Sequence, residues 1–322
     1  MQNYNGIQKF LHDFVLSKKF INKSLFELEK IIYLKNKDIK DQSHIFITSL
    51  PRSGTTSLLN FLFTSGEYAS LTYKSMPFIL SPNFSKLFNK KNILKIERLH
   101  GDGITFDINS PEALDEIFFD NDEEFIKNEL LNYIQLILLS EGTSKYLSKN
   151  NLNFKRIDLI HSKLPNSLFL IPIREPLQHA YSLLNQHLHF SKLQKENDFI
   201  TRYMNYLGHN EFGLNHKSWN TPVNFKDLNN INYWLEQWYL FYQNILKNYQ
   251  SYNNCFFIIY EELTNQNYLK VLLEKINTDR VEKLDLNYFK NSNKEAIDID
   301  YAKDNYNNAK DIYIDFKQTC KL

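Results

Sequence analysis

Apolar residues recur at helical spacing between positions 5 and 35, through Ile7, Phe10, Leu11 and Phe14, then Leu25, Leu28, Ile31 and Ile32. That period predicts one or two amphipathic helices at the start of the chain. The pattern changes at His44–Leu50, a short β-branched and apolar run of the kind that forms a strand. Helical spacing returns over Thr55–Ser65 and is expected to end near Gly66. Residues 67–110 show no sustained period and read as a loop-rich insertion, with Ser81-Pro82-Asn83 and Gly101-Asp102-Gly103 inside it.

Ser110-Pro111-Glu112 has the order of a helix start: a serine cap, proline at the first helical position, an acid in the first turn. A helix over about 122–140 places Ile126, Leu130, Ile134 and Ile137 on one face. Ser144–Lys149 reads as a short strand and Asn153–Ser162 as a helix. Ser167–Ile173 is a continuous apolar run, as in strands covered on both faces, and a helix starts at Pro176 through Leu177, Ala180, Leu184 and Leu188. Helix 231–248, strand 254–260 and helix 263–276 follow, and the polar tail after residue 279 is expected to pack loosely. Short apolar strands separated by helices predict an α/β fold with a central parallel sheet flanked by helices on both faces.

Bulk properties narrow the picture. The 322 residues are 43% hydrophobic, 15% aromatic and 23% charged, enough apolar content for a sizeable core. One α/β domain over 1–322 is expected, with an N-terminal helical extension (1–40) and a polar C-terminal tail (about 280–322). A net charge of +1 provides no global field for nucleic acid or an anionic membrane, so any anion site must be local. Cys255 and Cys320 are too few for a disulfide framework or a cysteine metal site, which suits a reducing compartment. No signal peptide and no run long enough to span a bilayer stand out, and a cytoplasmic protein is the expectation.

The candidate chemistry begins at Ser49–Asn60, "SLPRSGTTSLLN", a loop between the first strand and its helix. Amides at a helix start point outward and the helix dipole favours negative charge. Gly54 lets the backbone approach a ligand, Ser53, Thr55, Thr56 and Ser57 bring hydroxyls, and Arg52 brings a forked cation. A strand–helix turn that merely contains Arg-Ser-Gly is the bland alternative. A nucleoside triphosphatase would carry Gly-Lys-Ser/Thr and an acid at the end of a later strand to hold magnesium. Here the strand Ser167–Ile173 ends in Arg174, a charge for a second phosphate rather than for a metal. Ser182 lies two helical turns beyond it.

"PRSGTT" after a strand, "IPIREPLQHAYSLL" and the later "FFIIYEEL" together resemble the sulfotransferases that use 3′-phosphoadenylyl sulfate (PAPS). The three elements stand in that family's order over residues 44 to about 263. The segments "ERLHGDGITFDINSPEALDE", "YLSKNNLNF" and "YMNYLGHNEFG" are similar to a bacterial branch. The resemblance implies a three-layer P-loop-like fold with helical insertions, PAPS as donor, 3′-phosphoadenosine 5′-phosphate (PAP) as product, and no metal. It implies that the loop Arg52–Ser57 binds the 5′-phosphosulfate and that Arg174 and Ser182 bind the 3′-phosphate. Arg52 would also stabilise the leaving group.

The proton acceptor does not carry over. The family's glutamate positions correspond here to Ser70–Lys74 and to Ser148-Lys149-Asn150, and neither holds the acid. Glu97, His100 and Asp102 are the remaining candidates, with His100 suited by its ordinary pKa and a neighbouring carboxylate able to orient it. Glu97 could equally be the base, with Arg98 its partner, and both His100 and Asp102 could be plain loop residues. Lys149 is a candidate for the sulfonate or acceptor. His187, His189, His209 and His216 have no compact metal spacing, and Trp234, Trp238 and Tyr242 read as core. The acceptor expected is a hydroxyl or amine of a small molecule or carbohydrate. A P-loop nucleotide or small-molecule kinase, and a non-catalytic nucleotide-binding relative, are the alternatives.

Overall fold

The computed structural model describes residues 14–16, 18–34, 38–87, 96–97, 105–206, 210–219, 222–290 and 297–319. Five strands form one parallel sheet: β1 (Ile45–Ile47), β2 (Tyr68–Ala69), β5 (Lys145–Lys149), β6 (Leu168–Ile173) and β7 (Cys255–Ile259). They lie in the order β2-β5-β1-β6-β7. A separate antiparallel pair joins β3 (Ile96–Glu97) to β4 (Thr105–Phe106). The major helices are α1 (Lys19–Tyr33), α2 (Thr55–Phe63), α3 (Glu123–Glu141), α4 (Pro176–Glu196), α5 (Ile231–Tyr249), α6 (Gln266–Lys275) and α7 (Lys303–Thr319).

Alternation along the strands explains why they are apolar throughout. Phe46, Phe169 and Ile171 face one core with α3, α4, α5 and α7, while Ile45, Ile47 and Leu170 face another with α2 and α6. Every residue of β1 is buried. In register, Ile47 lies beside Lys149 on one side and Leu170 on the other. From β1 the chain goes out through β2 and β5, then returns across to β6 and β7 on the far side. The loops after β1 and β6 therefore diverge from one crevice, where open parallel sheets bind ligands.

Capping chemistry sets the helix ends. Asp122 accepts the Phe125 amide at the start of α3, and Gly142 with φ of 71° ends it. Glu175 caps α4 through the Gln178 amide with Pro176 at the first position. Glu29 of α1 is fully buried and accepts both Asn83 Nδ2 and the amides of Asn83 and Phe84, stitching the N-terminal helix to the segment after β2.

Three expectations are corrected. Ser110-Pro111-Glu112 does not open a helix: Thr72 and Pro111 form an isolated bridge, and the short helix begins only at Glu116. Pairing with the segment after β2 outcompetes the local helix signal. Asn153–Ser162 is two elements, a 3-10 turn over Asn151–Lys155 and a helix over Ile157–Lys163. The tail is not loosely packed, since α7 buries Ala309, Tyr313 and Phe316. Phe316 packs on Tyr242 and Phe257, so a polar helix is retained by one apolar stripe. The aromatic residues Trp234, Trp238 and Tyr242 are fully buried, as expected.

A buried histidine ties β5 to the chain before β1. His44 donates from Nε2 to the Ile39 carbonyl and accepts the Tyr146 amide at Nδ1, an arrangement only the neutral ring can make. Burial pushes its pKa down to about 4. The unfolded chain binds that proton near pH 6.5, so this contribution to stability is full above pH 6.5 and declines as pH falls towards 4. Denaturant titrations should show that His44→Gln, though less stable at pH 7, loses less stability on acidification. The two slopes should differ by up to about 1.4 kcal/mol per pH unit between pH 6 and 4.5. Parallel slopes would contradict a buried neutral His44.

Candidate functional site

The loop Thr48–Gly54 leaves the carboxyl end of β1 with two left-handed residues, Arg52 at φ 70° and Gly54 at φ 95°. Positive φ in consecutive turns aims amides inward into a concavity suited to an anion. The first intrahelical bond of α2 runs from the Leu58 amide to the Gly54 carbonyl. The amides of Thr55, Thr56 and Ser57 thus stand at the helix start, whose first turn holds no acid.

The hydroxyls divide into two sets. Ser53 Oγ is buried and donates to the Leu50 carbonyl at 2.7 Å, closing the turn. Thr55 Oγ1 reaches Asn151 Oδ1 at 3.4 Å, below the loop. Thr56 and Ser57 are half-buried. Gly54 is required for a second reason: a Cβ built there would overlap the ring of Tyr260, which lies across the loop.

The unit β6–α4 supports this loop from beside it. Arg174, at the end of β6, is 9% exposed and directs Nη1 to the Arg52 carbonyl at 3.4 Å. Arg52 Nε donates to Ser182 Oγ at 3.2 Å. The structure therefore brings together the three residues that the sequence placed 130 positions apart at most. Burial lowers the Arg174 pKa, opposed by Tyr260, Glu261 and Glu175, and the group stays cationic at any physiological pH. The guanidinium lies 5.5 Å from the centre of the Tyr260 ring.

Sequence reasoning missed His179. It donates from Nε2 to the Pro51 carbonyl at 2.8 Å, pinning the residue before Arg52. Burial and then the charges of Arg174 and Arg52 push its pKa down to about 3, so the ring is neutral. Its place on the apolar side of α4, beside Ala180, disguises it as core. Ser49 Oγ and Tyr242 OH both donate to the Pro172 carbonyl, locking β1's exit to β6.

Of the proton-acceptor candidates, His100 and Asp102 lie outside the described residues, as does Arg98. Glu97 is placed by its backbone in β3. The β4 end of that pair is anchored beside the segment after β2: the rings of Phe106 and Tyr73 are 4.3 Å apart, and the Lys74 amide bonds to Ile108. Tyr73 OH donates to Glu112 Oε2 at 2.6 Å, and the Glu112 amide bonds to Leu71. Glu112 is thus a buried carboxylate next to Ser70–Lys74, contributed from forty residues away in sequence. No local pattern flags it, because its position rests on the Thr72–Pro111 bridge.

Lys149 is half-buried at the carboxyl end of β5, beside Ile47 and therefore level with the loop. His187 and His216 sit in an aromatic cluster with Trp234, their rings 5.8 Å apart. His216 bonds Tyr233 OH and the Glu211 carbonyl. His209 is outside the described residues. Among the described residues no group of three or more acids, histidines or cysteines is arranged to hold a metal ion. Among them, too, no helix is long and apolar enough to cross a membrane.

The family model described as "Sulfotransferase family" matches residues 44–214, from the strand before the loop to beyond α4. That is more than half of the 322 residues. The chain belongs to the sulfotransferase family. Among solved structures, sulfotransferase STF1 of Mycobacterium tuberculosis H37Rv is 13% identical, covering 87% of this chain and 80% of its own at a TM-score of 0.49. STF9 of Mycobacterium avium is 11% identical, with 85% and 73% covered and a TM-score of 0.44. The sulfotransferase domain of the Synechococcus PCC 7002 olefin synthase is 13% identical, with 87% and 98% covered and a TM-score of 0.40. The comparison with curated proteins gives no match. The matched range spans the loop, Arg174 and Ser182.

Proposed function

We propose that this sulfotransferase transfers a sulfuryl group from PAPS to a hydroxyl, or an amine, of a small-molecule or carbohydrate acceptor. The observation that carries the reading is the convergence of Arg52 and Arg174 on one anion-shaped loop, with Ser182 bonded to Arg52. Two guanidiniums at one loop suit a nucleotide with phosphates at both ends of its ribose.

The acceptor oxygen attacks sulfur in line, the S–O bond to the 5′-phosphate breaks, and that oxygen keeps the electron pair. Arg52 meets the charge growing on it, aided by the amides of Thr55, Thr56 and Ser57 and the hydroxyls of Thr56 and Ser57. Ser53 and Thr55 shape the turn, on this reading, through the bonds their hydroxyls make below it. Arg174 and Ser182 take the 3′-phosphate, and Lys149 faces the sulfonate or acceptor. No step calls for a metal.

The acceptor's proton passes to one of four candidate bases: Glu112, beside the segment after β2, or Glu97, His100 or Asp102. General-base assistance contributes about 10²–10⁴ in rate. Labelled-PAPS turnover over an acceptor panel, run on Glu97→Gln, His100→Ala, Asp102→Asn and Glu112→Gln, should show one loss of that size with PAP affinity kept. Wild-type rates in all four variants would refute this choice of bases.

A further inference from the structure

Three consecutive carbonyls in the loop before α2 are each held by a side-chain donor. Ser53 Oγ donates to the Leu50 carbonyl at 2.7 Å, His179 Nε2 to that of Pro51 at 2.8 Å, and Arg174 Nη1 to that of Arg52 at 3.4 Å. A trans peptide is planar, so pinning its carbonyl fixes the direction of the whole unit. Ser53 lies in the loop itself and Arg174 ends β6. His179 stands apart from both, near the start of α4 and fully buried. Its Nδ1 has no hydrogen-bond partner among the described residues, so the neutral ring keeps its one proton on Nε2, against Pro51.

We propose that His179 is a positioning residue for the sulfuryl donor: it holds the Pro51–Arg52 peptide turned with its carbonyl in the core, out of the concavity that takes the 5′-phosphate. The inference rests on the PAPS reading above. Arg52 has φ of 70°, a left-handed conformation that costs any side chain with a Cβ free energy. Rotation of the Pro51–Arg52 peptide alone would return Arg52 to the ordinary negative range. The same rotation would swing the carbonyl towards the concavity and present the negative end of a dipole to an anion. The bond from His179 opposes that rotation, since breaking it would strand a buried donor. Imidazole suits the place because it donates without charge: burial, and then Arg174 and Arg52, push its pKa down to about 3.

The test is calorimetric binding of PAP and of adenosine 3′-phosphate, which lacks the 5′-phosphate, to the full chain. Wild type should prefer PAP by about tenfold or more, because the 5′-phosphate adds charge-assisted bonds. In His179→Met, which keeps apolar bulk and loses the donor, PAP affinity should fall about tenfold while adenosine 3′-phosphate binding stays level. His179→Gln, whose side-chain amide can donate to the same carbonyl, should stay within about threefold of wild type for PAP. If the His179→Met chain does not fold, or loses both ligands equally, or loses neither, His179 is a packing residue only and the inference is wrong. The same holds if His179→Gln binds PAP as weakly as His179→Met does. If wild type itself shows no preference for PAP, the donor reading fails first and this inference with it.

Discussion

Arg52→Asn is expected to weaken PAP binding at least a hundredfold and to abolish measurable sulfuryl transfer. Asparagine is the informative replacement because Arg52 has φ of 70°, a conformation asparagine tolerates better than most side chains. The loop keeps its shape and loses only the guanidinium, with its bond to Ser182. Truncating one partner of a buried, hydrogen-bonded charge pair costs about 2–5 kcal/mol in binding. Unlike Arg174→Asn, which should weaken PAP yet spare adenosine 5′-phosphate, Arg52→Asn should weaken both ligands, because each carries a 5′-phosphate. Isothermal titration of the two ligands against both variants reads this directly. An Arg52→Asn protein that binds PAP as wild type does would remove Arg52 from the site.

Gly54→Ala is expected to have the second-largest effect, on the fold of the loop as well as on its ligand. Alanine at φ of 95° is strained, and its Cβ would overlap the Tyr260 ring. Together these should destabilise the protein by about 3 kcal/mol, judged from typical overpacking and left-handed backbone costs. Tyr260→Ala in the same chain should recover part of the lost stability by removing the overlap, while the backbone strain remains. PAP binding should not return, because Tyr260 also lies against Arg174. Denaturant midpoints for the two single variants and the double one measure the coupling. Strictly additive losses would contradict the close approach.

What was legible in the sequence follows from how local each signal is. β1, the loop and α2 are contiguous, so their apolar run, the glycine and hydroxyls of the loop and the helical period could be read without knowing any partner. The same holds for β6, Arg174 and α4. The strand order could not be read, since nothing in "HIFITSL" says that β5 and β6 will flank it. Ser110-Pro111-Glu112 shows local chemistry giving way to a long-range bridge. Glu112 and His179 were missed for related reasons. Glu112 gains its place from Tyr73, and His179 has a sequence context indistinguishable from the apolar side of any helix. The tail misled because its composition is polar, although Ala309, Tyr313 and Phe316 form a stripe sufficient to dock it.

Thermal unfolding with PAP, compared with ATP plus magnesium, tests the central claim most directly. PAP at about a hundred times its Kd, without any metal, should raise the midpoint by about 5 °C, the shift expected of a single tight site in a chain of this size. ATP with magnesium should give a smaller shift, because the loop has no lysine and the end of β6 carries Arg174 in place of an acid. Stabilisation by ATP and magnesium with none by PAP would contradict the account.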